Sequence, residues 1–307
     1  MKILLMGQQL FGKAVLEKIH QETNHTISAV CCFKNRTTAF LDPVREYALA
    51  HNFPIIEVDS FKDQKLIQKL KQTDADLCIM AYVTKFITKE VRDIPTHGTI
   101  CFHPSLLPRH RGPSAINWAI IHGSKNVGVT IFYPDDGLDE GDILLQKEIT
   151  ISDDETLGDV YFNKIFPLGV DACIEAADLI EQGKAPRIPQ EKQKGTYESW
   201  CRKNDARINW ERSGEDIYRL IRGCNPKPGA WSKLKNDEYT FFDTKFINKK
   251  HGKTYYPGQV VDIDRDSMQI AVKDGFLLVS KVKLNNQNKQ HILELTEVHK
   301  SKGEVFV

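Results

Sequence analysis

The chain has 307 residues, 41% hydrophobic and 27% charged, which is enough for two ordinary domains with their own cores and too balanced for a disordered or fibrous protein. Forty-two basic residues against 41 acidic ones leave a net charge of +1, which argues against a protein whose main business is coating nucleic acid or anionic membrane. Base is in mild excess from residue 201 onward.

The first apolar run, residues 3–6, stops at Gly7, and Gly12 precedes a helical pattern over 13–19. This reads as strand, tight loop, helix. Strands are expected at 27–33 and 54–58, helices at 43–51 and 64–71, then buried strands at 77–81 and 99–103. Alternation of this kind specifies an α/β, Rossmann-like doubly wound, mainly parallel sheet. Its ligand crevice should lie outside the carboxyl ends of the strands, where His103 closes its strand. The next strand, 129–133, runs into the acidic turn Asp135-Asp136-Gly137-Leu138-Asp139-Glu140-Gly141-Asp142. A long helix is expected from about 156 to 182, ending at Gly183.

The polar, proline-broken stretch from 184 to 195 marks a linker. The expected domains are 1–188, catalytic, and 206–307, joined by 189–205. In the second, one helix over 214–222 precedes short β-like runs near 239–247, 258–263, 268–272, 276–283 and 291–297. Five short strands suggest a small C-terminal β-barrel of the OB-like type, with a strongly twisted open sheet equally allowed.

The cysteines, at 31, 32, 78, 101, 173, 201 and 224, form no C-x-x-C pair and no zinc-site spacing. They read as reduced, buried thiols, and no metal is expected. No apolar run approaches a signal-peptide core or a membrane span, so cytoplasmic localisation and no membrane partner are expected. Gly7 and Gly12 lack both the dinucleotide and the P-loop spacing, so no NAD is expected.

Chemistry concentrates in two segments. His103-Pro104-Ser105-Leu106-Leu107-Pro108-Arg109-His110-Arg111-Gly112 sets an imidazole on a loop stiffened by two prolines. The turn Gly137 to Asp142 offers carboxylates after the following strand. A pairing of His103 with Asp139 across the crevice is therefore plausible, against a structural histidine and a solvated acidic turn. Cys101 shares a strand face with His103 and invites a nucleophile reading, although a buried strand cysteine is usually inert filler. Arg109 divides between loop anchoring and ligand contact. Lys227, Lys233, Lys235, Lys245, Lys249 and Lys250 lack interleaved aromatics and read as a solvated face rather than a tRNA surface.

These two segments, with 183–190, 195–197, 207–210, 221–223 and 228–231, resemble the folate-dependent formyltransferase family. The resemblance is nearest to the hydrolase domain of 10-formyltetrahydrofolate dehydrogenases, expected here to stand alone without the carrier and aldehyde dehydrogenase domains, and it extends to methionyl-tRNA formyltransferases. It implies that His103 and Asp139 are the catalytic pair and that 10-formyltetrahydrofolate is the co-substrate. It further implies a pterin seated against the backbone of Asp135, Asp136, Gly137, Leu138 and Asp139, and a folate pocket lined by Ala81, Tyr82, Val83 and Phe86. The family's transferases carry Asn two residues before the histidine, where this chain has Cys101, so a second oxyanion donor is missing. The acceptor stays open among water, a small amine and a carrier thiol, with a sugar amine third and tRNA possible but not favoured. From another class, a folate-binding regulatory protein that has lost catalysis remains an alternative, against which the intact His103 and Asp139 count.

Overall fold

A computed structural model describes all residues except 34–40, 250–251, 286 and 296–297. The chain forms two compact units. The first comprises Met1–Ala115, Val127–Ile149 and Phe162–Glu198, and the second comprises Ile116–Asn126, Thr150–Tyr161 and Ser199–Val307.

In chain order the elements are β1 (Lys2–Gly7), α1 (Gln9–Glu22), β2 (Thr26–Phe33), α2 (Pro43–Ala50), β3 (Ile55–Val58), α3 (Gln64–Lys71), β4 (Leu77–Ala81), α4 (Lys89–Arg92) and β5 (Thr99–His103). After them come α5 (Ala115–Ile121), β6 (Asn126–Phe132), β7 (Ile143–Thr150), α6 (Leu157–Val160) and α7 (Phe166–Glu181). The seven strands form one sheet in the order β3-β2-β1-β4-β5-β6-β7. The pairings among β3, β2, β1, β4 and β5 are parallel, so the sheet is parallel-dominated and Rossmann-like. Its order reverses beside β1, which leaves Gly7 of β1 paired with Ala81 of β4 at the carboxyl edge. Ile3, Leu4, Leu5 and Met6 of β1 are each no more than 1% exposed, as a central strand covered on both faces requires. Burying each contributes about 1.5–3 kcal/mol.

Gly12 lies inside α1 rather than in a loop. A Cβ there would sit 2.8 Å from Val44 Cγ2 and 3.1 Å from the Gly7 Cα, so glycine lets the helix approach the strand closely. The expected helix over 156–182 is realised as α6, a π-helical turn over Tyr161–Ile165, and α7. Pro167, in the first turn of α7, has no amide hydrogen to continue an α-helical ladder through that turn.

Two features of the sheet depart from expectation. β6 runs antiparallel to β5, with Cys101 opposite Phe132 and His103 opposite Thr130, and β7, absent from the sequence reading, forms the edge. Asp139 therefore reaches His103 not from a neighbouring strand end but from a turn that doubles back.

In the second unit, α8 (Gly214–Gly223) precedes β8 (Ala230–Leu234), β9 (Asp237–Phe241), β10 (Thr244–Asn248), β11 (Val260–Ile263), β12 (Met268–Val272), β13 (Gly275–Val279), β14 (Lys281–Leu284) and β15 (Gln290–His291). They form two four-stranded antiparallel sheets, β10-β13-β12-β11 and β15-β14-β9-β8. Among the described residues no pairing closes them into a barrel. The expected runs 239–247 and 276–283 each split into two strands belonging to different sheets. At the corner, the Ser280 amide donates to the Asp243 carbonyl at 2.9 Å and the Phe242 amide to the Lys281 carbonyl at 3.1 Å, so the chain switches sheets without orphaning backbone groups. Both sheets bury one core around Trp210, Phe241, Met268, Leu277 and Phe306. Of the expected run 291–297, residues 296–297 lie outside the described residues.

Candidate active site

Strand β5 delivers His103 to the carboxyl edge of the sheet, 6% exposed. The loop that follows is pinned from β6 and β7. Thr130 donates to the Ser105 carbonyl at 2.6 Å and accepts from the Leu107 amide at 3.1 Å, while Gln146 donates to the Leu107 carbonyl at 2.8 Å. Ser105 itself donates to the Arg109 carbonyl at 2.7 Å.

The loop then turns through His110, which holds a left-handed backbone at φ 55°. The His110 carbonyl lies 2.8 Å from His103 Nε2. A carbonyl only accepts, so Nε2 carries the hydrogen and Nδ1 is the nitrogen turned to the crevice. Opposite it, Asp139 Oδ2 stands 3.6 Å from Nδ1. That separation exceeds a direct hydrogen bond, and the pair faces across a gap. The same oxygen accepts the Gly112 amide at 2.8 Å, which aims the carboxylate.

Sequence reasoning missed the frame behind this pair. Arg111, 1% exposed, donates from Nη2 to Gln190 Oε1 at 2.7 Å and from Nε to the same oxygen at 3.2 Å. Gln190 Nε2 in turn donates to the carbonyls of Asp139 at 2.9 Å and Gly141 at 2.8 Å. Asp139 itself has φ 55°, a conformation that persists only where its surroundings fix it. Residues 196–198 strap the other side. Thr196 Oγ1 accepts the His110 amide at 2.8 Å, Thr196 O accepts the Arg111 amide at 2.9 Å, and the Glu198 amide donates to the Arg111 carbonyl at 3.0 Å. Glu198 Oε1 sits 3.0 Å from His110 Nδ1, and Tyr197 links Arg111 to Glu140. The one signal available in the sequence was that Gln190 and Thr196-Tyr197 fall in the segments carrying the family resemblance.

The remaining candidates separate by environment. Tyr82, Phe86 and Leu138 are exposed apolar groups, 43%, 61% and 53% accessible. Tyr82 has φ 64°, and its carbonyl accepts from Gln8 Nε2 at 3.3 Å. Val83 is half-buried, Ala81 fully buried in β4, and Arg109 exposed. Asp135 accepts the Gly137 amide at 2.9 Å. Asp136 is held by the buried Arg92 at 2.6 Å, so its carboxylate anchors the turn. Cys101 is half-buried, packed against Leu107, Phe132 and Ile143. Burial first, and the Asp139 carboxylate second, push its thiol well above the usual range, which keeps it protonated and a poor nucleophile.

Of groups that could hold an ion, His25, Asp178 and Glu181 approach one another in the first unit, but His25 is already paired to Asp178 at 3.0 Å. Among the lysines considered for phosphate contact, Lys233 and Lys245 lie on β8 and β10, Lys235 pairs with Glu304 at 3.0 Å, and Lys250 lies outside the described residues. Among the described residues, no helix is long and apolar enough to cross a membrane.

Known proteins bear on this geometry. Residues 1–175 match the formyl transferase family and residues 201–300 its C-terminal domain. A methionyl-tRNA formyltransferase of Fusobacterium nucleatum is 35% identical over 301 residues, covering 96% of both chains. The cytosolic 10-formyltetrahydrofolate dehydrogenase of Xenopus laevis is 36% identical over 283 residues, which are 91% of this chain and 31% of that protein. The chain thus spans only about a third of the dehydrogenases it matches. Among solved structures, HypX from Aquifex aeolicus in complex with tetrahydrofolic acid superposes at TM-score 0.69 with 20% identity, over 98% of this chain and 48% of that one. The sugar 3N-formyl transferase WlaRD superposes at 0.68 with 17% identity, over 94% and 99%. These last two show a shared fold. The two domain matches and the 35% relative matched over 96% of both chains establish that this chain belongs to the formyl transferase family.

Proposed function

We propose that the protein removes the formyl group of 10-formyltetrahydrofolate, passing it to an acceptor or to water and releasing tetrahydrofolate, with His103 and Asp139 as the catalytic pair. The observation that carries this reading is the 3.6 Å gap between His103 Nδ1 and Asp139 Oδ2, with His103 fixed by a backbone carbonyl at its other nitrogen and the Asp139 oxygen fixed by a backbone amide. The formyl carbon is attacked by the acceptor's lone pair, and the carbonyl electrons move to oxygen, giving a tetrahedral oxyanion. The bond from carbon to N10 then breaks, and N10 leaves with a proton. With Nε2–H kept on the His110 carbonyl, a second proton taken up at Nδ1 makes His103 an imidazolium; opposite the Asp139 carboxylate this proton stabilises the oxyanion and is positioned to pass to N10, each role worth about 10²–10⁴-fold in rate. Asp139 accepts the proton the acceptor loses and returns it to His103 Nδ1, which restores the pair. We assign the folate pocket to Ala81, Tyr82, Val83, Phe86, Arg109 and the turn from Asp135 to Asp139. The weakly donating Cys101 stands where the family's transferases have an amide donor, which raises the barrier to transfer to an amine by about 2–4 kcal/mol relative to a site that has one.

Methionyl-tRNA formylation is the second reading, favoured by the Fusobacterium relative that matches end to end. The test is a side-by-side assay of water, small amines, amino-sugar nucleotides, a carrier thiol and charged initiator tRNA as acceptors of labelled formyl group. Steady tetrahydrofolate release without tRNA supports the first reading. Fast tRNA formylation with a steep inverse salt dependence promotes the second. No consumption of 10-formyltetrahydrofolate with any acceptor removes both.

A further inference from the structure

Two of the seven cysteines meet in a contact that the proposed reaction does not use. In the second unit, Cys201 Sγ and Cys224 Sγ lie 3.9 Å apart. Cys224 caps the carboxyl end of α8, its amide donating to the Leu220 carbonyl at 3.0 Å, and it is fully buried in the core of that unit. Cys201 lies outside any helix or strand, two residues after Ser199, whose carbonyl accepts from Trp118 Nε1 at 2.8 Å. It is half-buried, whereas Cys31, Cys32, Cys78 and Cys173 are all buried. One thiol of the pair is thus reachable and the other is held behind it.

We propose that Cys201 and Cys224 form a peroxide-sensitive dithiol, Cys201 being the sulfur attacked by solvent oxidant and Cys224 the resolving sulfur that closes a reversible disulfide. The contact also sorts the two thiols electronically. The hydrogen bond from Cys224 holds the Cys201 thiol below its usual range, against the opposing effects of burial and Asp205. The same contact, with burial, pushes Cys224 up. The accessible sulfur is accordingly the better thiolate, as selective oxidation requires. Cys101, the other half-buried cysteine, is protected because burial and Asp139 keep it protonated.

In the first step the Cys201 thiolate attacks one oxygen of the peroxide. The O–O bond breaks, the sulfur becomes a sulfenic acid, and the second oxygen leaves as hydroxide or alkoxide and takes up a proton. Cys224 then loses its proton and attacks the Cys201 sulfur. The S–O bond breaks, water leaves, and the disulfide is complete. The two sulfurs together lose two electrons, and the peroxide gains them. Closing from 3.9 Å to a disulfide length requires an approach of about 1.9 Å, which a rotation of the half-buried Cys201 side chain, outside regular structure, can supply while the helix cap stays in place.

The test treats the full chain with hydrogen peroxide, blocks remaining thiols under denaturing conditions, and maps tryptic peptides without reductant. The relevant peptides are residues 195–202 and 223–233. The expected product is these two peptides joined, lighter by two hydrogens than their sum and separated again by dithiothreitol. In Cys224→Ser, a sulfenic acid is expected on Cys201, captured by dimedone. In Cys201→Ser, Cys224 should remain a thiol at the same dose. Overoxidation of Cys201 with Cys224 still a free thiol in the wild type, or no linkage while Cys101 or another cysteine oxidises first, overturns the proposal.

Discussion

Gln190→Glu and Gln190→Leu together test whether the frame behind the candidate pair controls it. Gln190 makes four polar contacts, two received from the buried Arg111 and two given to the carbonyls of Asp139 and Gly141. Leucine removes all four. Leaving a buried donor or acceptor unsatisfied costs about 1–3 kcal/mol each, and partial rehydration reduces the sum, so a stability loss of about 2–5 kcal/mol is expected. Glutamate keeps an acceptor for Arg111 and supplies it a countercharge, yet it has no N–H for the two carbonyls and sets a negative oxygen against them. Gln190→Glu should therefore unfold at a urea midpoint closer to wild type than Gln190→Leu does. Asp139, no longer held at φ 55°, relaxes, and displacement of a reacting group by about 1 Å costs about 10²-fold in rate. The assay is tetrahydrofolate release under saturating 10-formyltetrahydrofolate beside urea unfolding of the same preparations. A fall in kcat of about 10- to 100-fold in Gln190→Glu with KM little changed is expected. Wild-type kcat in the glutamate variant would refute the idea that this side chain positions Asp139.

His103→Ala and Asp139→Ala should each lower formyl release by about 10²–10⁴-fold, and the double variant should be little worse than the poorer single one, because the two act as a unit; losses that multiply would break the coupling. Cys101→Ala should keep most turnover, since burial holds the thiol protonated, and Cys101→Asn should raise amine formylation relative to hydrolysis; formyl label trapped on the wild-type thiol would instead make it the nucleophile. Gly112→Ala should destabilise by about 3 kcal/mol, because the residue has φ 103° and a Cβ would lie 2.1 Å from the Glu198 carbonyl oxygen; an unchanged thermal midpoint counts against that packing. Burial pushes Cys32 up to about 11 and Cys78 up to about 12. Unfolded thiols ionise first as pH rises, so the unfolded state then binds fewer protons and stability falls between the usual thiol range and pH 11–12; urea midpoints of Cys78→Ala that fall as steeply as those of the wild type over that window would remove Cys78 from the effect.

The alternating apolar runs of the first unit were readable because a strand covered on both faces must be almost wholly apolar, and β1, β2 and β4 are. Strand β7 was not. Past Leu144 its residues alternate between half-buried and exposed, through Gln146, Lys147 and Glu148, as an edge strand's do. The two sheets of the second unit escaped for a different reason: an apolar run such as 276–283 shows continuous strand propensity, and nothing in it marks Ser280 as the point where the chain leaves one sheet for the other. His103 could be placed at the carboxyl edge since an apolar strand there ends in a polar residue followed by proline.

The rest of the candidate site depends on contacts between positions far apart in sequence. Gln190 lies 51 residues from Asp139 and 79 from Arg111, and its neighbours 184–195 are polar and proline-broken, the composition of a linker. That composition describes the exposed face of the segment correctly and hides Gln190, whose side chain is buried. A glutamine has both a donor and an acceptor, so it can take the charge-assisted hydrogen bonds of a buried arginine on one atom and satisfy two carbonyls with the other. No apolar or purely ionic residue at position 190 does both. If position is what makes Asp139 reactive, the residue that holds its backbone lies in the stretch whose sequence looked least structured, and the glutamate substitution, which preserves one half of that bifunctional contact and reverses the other, separates positioning from folding.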